Sequence, residues 1–283
     1  MTAPAWRPHW AAYGAELLGT ALLIFLGVGA VIADFAPGSP VAGLLPDPLV
    51  RRLVTGLLFG GTGALIALSP LGRISGAHLD PVLSLGFWLA GSLGAGDLAL
   101  YAAAQVAGGV GGALLLPPVW GSAGRAVAFG MTLPSPAGGP WAAVAGEVLV
   151  TFALVGGILW FVGHPRLRRF TPALIPPLVA VLVAAEAPWS GTSMNPARSL
   201  GPALVSHQLQ IMWIYVLGPV VGAVAAALLA TRPGRVHVAK LAHHGHDPAA
   251  RFHGAAADSP AATVQGRLRG AGARREKESH RQA

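Results

Sequence analysis

The chain has 283 residues, 53% of them apolar and only 11% charged, with a formal net charge of +8. Ten of its 19 Lys and Arg residues lie in the last 53 positions, so the body before Thr231 is almost uncharged, which excludes a nucleic-acid-binding body and fits a membrane protein. The absence of cysteine excludes disulfides, thiolate metal sites and cysteine nucleophiles.

After a short N-terminal segment, residues 1–9, six stretches are apolar enough to span a bilayer. They run at about Trp10–Ile32, Leu49–Ser69, Leu98–Leu116, Trp141–Val162, Pro172–Ala187 and Gln210–Ala230. The first is too long for a secretory signal, carries Glu16 and lacks a small-residue cleavage site, so it reads as a retained span. Its Ala15-Glu16-Leu17-Leu18-Gly19-Thr20 has a counterpart in the fourth, Gly146-Glu147-Val148-Leu149-Val150-Thr151, with Thr four residues after Glu in both.

Between spans two and three lies Ser75-Gly76-Ala77-His78-Leu79-Asp80-Pro81-Val82. Between spans five and six lies Ser190-Gly191-Thr192-Ser193-Met194-Asn195-Pro196-Ala197-Arg198, about 115 residues later. In each, Asp or Asn can cap the first backbone N–H groups of a helix while the proline's fixed φ suits the first helical position. The apolar runs that follow, Asp80–Gly91 and Asn195–Val205, make half-helices of roughly 16–18 Å, about half the thickness of a bilayer core. Non-helical backbone at that depth is tolerated only where protein buries it or water lines it, so the two loops are expected to border a pore.

The doubled motif and the doubled Glu mark an internal repeat, the first copy at about residues 10–118 and the second at about 140–230. Each copy has three spans, an odd number, so the second is inverted and the half-helices meet N-terminus to N-terminus at the midplane. The predicted fold is therefore an all-α membrane protein of six transmembrane helices plus two re-entrant half-helices, in a channel domain over residues 10–230. Arg166, Arg168 and Arg169 between spans four and five, with Arg232, Arg235 and Lys240 after the sixth, place both termini in the cytoplasm, although Arg51, Arg52 and Arg125 then fall outside. Residues 231–283 read as a disordered basic tail, with His243, His244 and His246 near its start, whose charge favours anionic lipid headgroups. Heavy use of Ala, Gly, Arg and Pro suggests a bacterial plasma membrane protein.

On these residues the chain resembles the major intrinsic protein family, the aquaporins and aquaglyceroporins. The resemblance implies a homotetramer in the lipid bilayer, each subunit with its own pore for water or small neutral solutes, without cofactor, metal or covalent chemistry. It assigns the pore midpoint to Asp80, Pro81 and Val82 and to Asn195, Pro196 and Ala197. The family carries Asn at both caps and Ala at the third position, so Asp80 and Val82 depart from it. Asn195 can donate an N–H to a passing solute, whereas an ionised Asp80 is acceptor-only. Arg198 is expected at the constriction, and counting back from the caps adds Gly60, Val183 and Thr192.

Water-selective members place a bulky aromatic and a His there. Gly60 and Val183 supply neither, so the expected opening is wide and suits glycerol, urea or metalloid acids as well as water. The alternative is a water-selective pore, with Phe59 or Trp189 refilling the space. Glu16 and Glu147 are expected to accept hydrogen bonds from the loop backbones, and Gln105 to serve a similar scaffold role. His78 is expected to line the cytoplasmic half of the pore or to make a structural hydrogen bond. Glu186 has no family role; it either pairs with Arg198 or faces water. A proton-coupled secondary transporter using Asp80 is a further reading, since transporters also use inverted repeats and broken helices. An enzyme is not expected, because the spans hold no nucleophile–base pair and no clustered ligand set.

Overall fold

The computed structural model describes residues 7–230, and among these every regular element is helical. The helices are α1 (Trp10–Phe35), α2 (Pro48–Leu68), α3 (Pro81–Leu89), α4 (Ala95–Leu114), α5 (Leu116–Ala126), α6 (Gly139–Gly163), α7 (Thr171–Ser190), α8 (Pro196–Val205) and α9 (Ile214–Ala230). Short helical turns stand at Pro40–Leu44 and Pro70–Ser75. The basic tail with His243, His244 and His246 lies outside the described residues.

Proline and capping side chains explain several of the starts. Asp47 accepts from Leu49 N at 2.7 Å with Pro48 in the first turn of α2, and Asp80 and Asn195 cap α3 and α8 in the same manner. Among the described residues five helical segments are long and apolar enough to cross a membrane singly; α4 meets the same standard only together with α5, from which it is bent by 72° where Pro117 and Pro118 interrupt the backbone ladder. The fifth segment is longer than the expected Pro172–Ala187: α7 runs from Thr171 to Ser190 through Pro176, Pro177 and Pro188.

Apolar burial gains little between helices in lipid, so close backbone approach must hold them together. Three crossings use paired glycines four residues apart. A Cβ at Gly56 would lie 2.5 Å from Ala180 Cα, and one at Gly60 2.9 Å from Pro176 Cα, which joins α2 to α7. Gly108 and Gly112 of α4 meet the carbonyls of Leu17 and Ala21 on α1, while Gly218 and Gly222 of α9 meet Glu147 and Val148 on α6. The α1–α4 and α6–α9 crossings occupy corresponding places in the two repeats. The half-helices pack inside this frame, α8 against α4 with Gly201 over the Gly109 carbonyl, and α3 against α6 with Gly86 beside Val155. Leu18, Leu26, Leu57, Leu65, Leu149 and Val181 stand exposed on the outer face, as lipid contact requires.

Candidate pore and constriction

The loops before the two half-helices have the same backbone. Gly76 and Gly191 end the preceding helices in the left-handed region, at φ 93° and 80°, and Ala77, Leu79, Thr192 and Met194 follow with φ between 49° and 56°. Left-handed backbone costs a non-glycine residue about 1–2 kcal/mol, so the surroundings must impose it.

Two buried carboxylates do so. Glu16 accepts from His78 N at 3.0 Å and Leu79 N at 2.6 Å, and Glu147 accepts from Ser193 N at 2.6 Å and Met194 N at 2.8 Å. Both side chains are fully buried. Gln105 Nε2 supports the first with bonds of 2.8 Å to Glu16 and 2.9 Å to Ser84. Tyrosines pin the loop starts: Tyr101 donates to the Ser75 carbonyl at 2.7 Å and Tyr215 to the Ser190 carbonyl at 2.8 Å. The tyrosine pair went unnoticed in the sequence, though both stand at matching positions of the last span of each repeat. His78 is held by Ser84 at 3.0 Å through Nδ1 and stacks on Phe87 with ring centroids 4.5 Å apart.

The two loops meet at their caps. Asn195 Oδ1 accepts from Ala197 N at 2.9 Å and Arg198 N at 3.1 Å, and its Nδ2 donates to the Leu79 carbonyl of the other loop at 2.9 Å. Asp80 Oδ1 accepts from Val82 N at 2.9 Å, but a carboxylate has no N–H to return to the opposite loop. Val82 is buried in the apolar cluster that also holds Leu83, Phe87 and Met194.

A cavity of about 230 Å³ lies beside the second loop, lined by Phe59, Val179, Val183, Thr192 and Arg198 among others. Arg198 Nη1 donates to the Gly130 carbonyl at 2.9 Å, and its guanidinium lies 5.9 Å from the centroid of the Phe59 ring. Two expectations need correcting here. Gly60 does not line this cavity: it faces α7, packed against Pro176 and Val179, and Phe59, one residue and about 100° earlier around the helix, supplies the α2 side chain instead. Glu186 neither pairs with Arg198 nor faces water. It is 5% exposed, accepts from Thr192 Oγ1 at 2.6 Å and lies 2.8 Å from Ser190 Oγ, and among the described residues no carboxylate lies within ion-pair distance of Arg198. Of the expected constriction residues the cavity thus brings together Val183, Thr192 and Arg198, with Phe59 beside them.

The family model for major intrinsic proteins matches residues 5–230. The chain belongs to the major intrinsic protein family. It is similar to aquaporin TIP2-3 of Arabidopsis thaliana, 36% identical over 222 residues that cover 77% of this chain and 85% of the relative. It is also similar to aquaporin NIP1-3 of Oryza sativa subsp. japonica, 34% identical over 75% of this chain and 70% of the relative. The X-ray structure of the aquaglyceroporin from Plasmodium falciparum shares its fold, with a TM-score of 0.62 at 20% identity over 78% of this chain and 95% of that one. This major intrinsic protein is accordingly an integral membrane channel for water and small solutes. The relatives named are plant proteins and lend no support to the bacterial origin that the composition suggests.

A chemical test of the cavity lining follows from the composition. Mercuric ion attacks thiolates, and the chain has no cysteine, so mercuric chloride is expected to leave flux unchanged. Thr192→Cys should make flux sensitive, with block reversed by a thiol reagent. A folded Thr192→Cys channel that conducts equally with and without mercuric chloride would place residue 192 off the conduction path.

Proposed function

We propose that the protein is a passive channel for small neutral solutes, of the glycerol, urea or metalloid-acid class, and for water. It works as a homotetramer with one pore per subunit and both termini in the cytoplasm. The observation that carries this reading is the chemistry of the cavity wall: Val179 and Val183 of α7 stand in the lining with Arg198 and Arg52, and no histidine is among the lining residues. An amphipathic solute can lay carbon against the valines while its oxygens accept from Arg198. In the same reading Glu16, Glu147 and Gln105 hold the loops, Asn195 donates to the permeating oxygen, and the two half-helix N-termini, worth about half a positive charge each, oppose cations.

Phe59 favours the second reading, a water-selective pore, because it returns an aromatic ring to the place that Gly60 leaves open. Stopped-flow light scattering on proteoliposomes separates the two. Under the first reading a glycerol or urea gradient gives a reswelling phase well above that of protein-free liposomes. Phe59→Ala should then speed glycerol reswelling several-fold with little change in water flux. Water flux with no solute reswelling in the wild type, appearing only in Phe59→Ala, would establish the water-selective reading. Saturable flux driven by a proton gradient would instead mark a transporter.

A further inference from the structure

Glu186 is a buried carboxylate that the pore as described does not use. It sits on α7, one turn before the loop, and the lack of a side chain at Gly146 makes room for it: a Cβ there would lie 2.3 Å from Glu186 Oε1. Its Oε2 accepts from the Thr192 hydroxyl at 2.6 Å and lies 2.8 Å from the Ser190 hydroxyl, which in turn lies 2.6 Å from Glu147 Oε1. Glu186 therefore ties a cavity-lining side chain to the carboxylate that holds the loop backbone.

A hydroxyl has one proton. With that proton given to Glu186, Thr192 has none to offer a solute, whatever part of it borders the cavity. The other cavity hydroxyls are spoken for in the same way, Thr55 Oγ1 by Asp34 Oδ2 and Ser193 Oγ by the Asn195 carbonyl at 2.9 Å. The side-chain donors left among the lining residues are then those of Arg52 and Arg198; Ser193 Oγ already accepts from Ser199 Oγ at 2.6 Å and Asn195 N at 3.3 Å, so the threonine oxygens are the hydroxyls left to accept from a solute.

We infer that Glu186 is a specificity-determining positioning residue: by taking the Thr192 proton it makes this constriction select neutral solutes that carry N–H or O–H donors beside an acceptor oxygen. Small amides of the urea type and polyols meet this requirement, the oxygen facing Arg198 and the donors facing the hydroxyl oxygens. The inference rests on the solute-channel reading above and names what that channel recognises.

The test compares urea and water permeability of full-length protein in proteoliposomes at matched protein density. Glu186→Leu removes the acceptor at nearly constant size, which leaves the Thr192 hydroxyl proton free for the cavity. We expect the urea-to-water permeability ratio to fall at least fivefold. Thr192→Val, which removes the hydroxyl at nearly constant shape, should lower the ratio similarly, and the double variant should go no lower than either single one. A purely structural role would reduce urea and water flux together and leave the ratio alone. Unchanged ratios in Glu186→Leu and Thr192→Val, with a wild type that conducts urea, overturn the inference and leave the channel reading standing. Should Glu186→Leu fail to fold, Thr192→Val decides by the same ratio. A wild type that conducts water but no urea overturns both.

Discussion

Replacing Glu147 by leucine is expected to abolish conduction and to cost the protein several kcal/mol of stability. Three donors depend on that carboxylate: Ser193 N, Met194 N and Ser190 Oγ. Leucine is close to glutamate in size but accepts no hydrogen bond, and each buried donor left unmet costs roughly 1–3 kcal/mol. The loop residues Thr192 and Met194 sit in left-handed backbone that only such external bonds enforce, so the second loop should relax and carry Asn195 and Arg198 away from the pore axis. Thermal unfolding in detergent should show a clear drop in midpoint relative to wild type, and proteoliposomes should show no flux above background. Glu147→Gln keeps one acceptor oxygen but turns an N–H2 toward a loop donor, so an intermediate loss is expected. A Glu147→Leu protein with an unaltered midpoint and wild-type water flux would mean that the loop holds its shape without the carboxylate.

Glu16 and Glu147 also show how much of this molecule could be read from its residues. Their equal spacing to Thr20 and Thr151 marked the repeat, and the two Asp/Asn-Pro pairs marked the half-helices, because each signal is local: a cap, a proline and a carboxylate in an apolar run have few other uses. The spans came out to within a few residues for the same reason. What failed was direction around a helix axis. Counting from Asp80 lands on Gly60, but one residue turns a helix by about 100°, and which residue faces the cavity depends on how α2 meets α7. Gly56 and Gly60, four residues apart, mark the face given to another helix, and that pattern was present to be read. The partners of Glu186 lie only four and six residues on, at Ser190 and Thr192, but that the carboxylate turns to them and not to Arg198 is a matter of side-chain direction, with room for it left at Gly146. The bend between α4 and α5 was signalled by Pro117-Pro118, but its 72° angle is set by tertiary packing.

At pH values where Asp80 is ionised, Asp80→Asn is expected to lower proton and cation leak by at least tenfold. Two half-helix N-termini together approximate one positive charge at the midplane, and an ionised Asp80, capping one of them, cancels much of it. A unit charge acting at roughly 5 Å with an effective dielectric of about 20 is worth about 3 kcal/mol, on the order of a hundredfold in cation entry. The wild-type midpoint is moreover lopsided: Asn195 donates to the Leu79 carbonyl at 2.9 Å, while Asp80 caps Val82 N and, when ionised, has nothing to give the Met194 carbonyl at the equivalent place. Asparagine at position 80 keeps the cap, removes the charge and supplies the missing donor. Because a carboxyl titrates and an amide does not, neutral-solute flux should vary with pH in the wild type through Asp80, and Asp80→Asn should lose that variation. The measurement is proton leak by an entrapped pH dye, alongside solute flux across a pH series, in liposomes of matched protein density. Equal leak and superimposable pH profiles in the two proteins would reduce Asp80 to a helix cap. A lower leak with a flat profile in Asp80→Asn would instead make it the residue that sets how tightly this channel excludes charge.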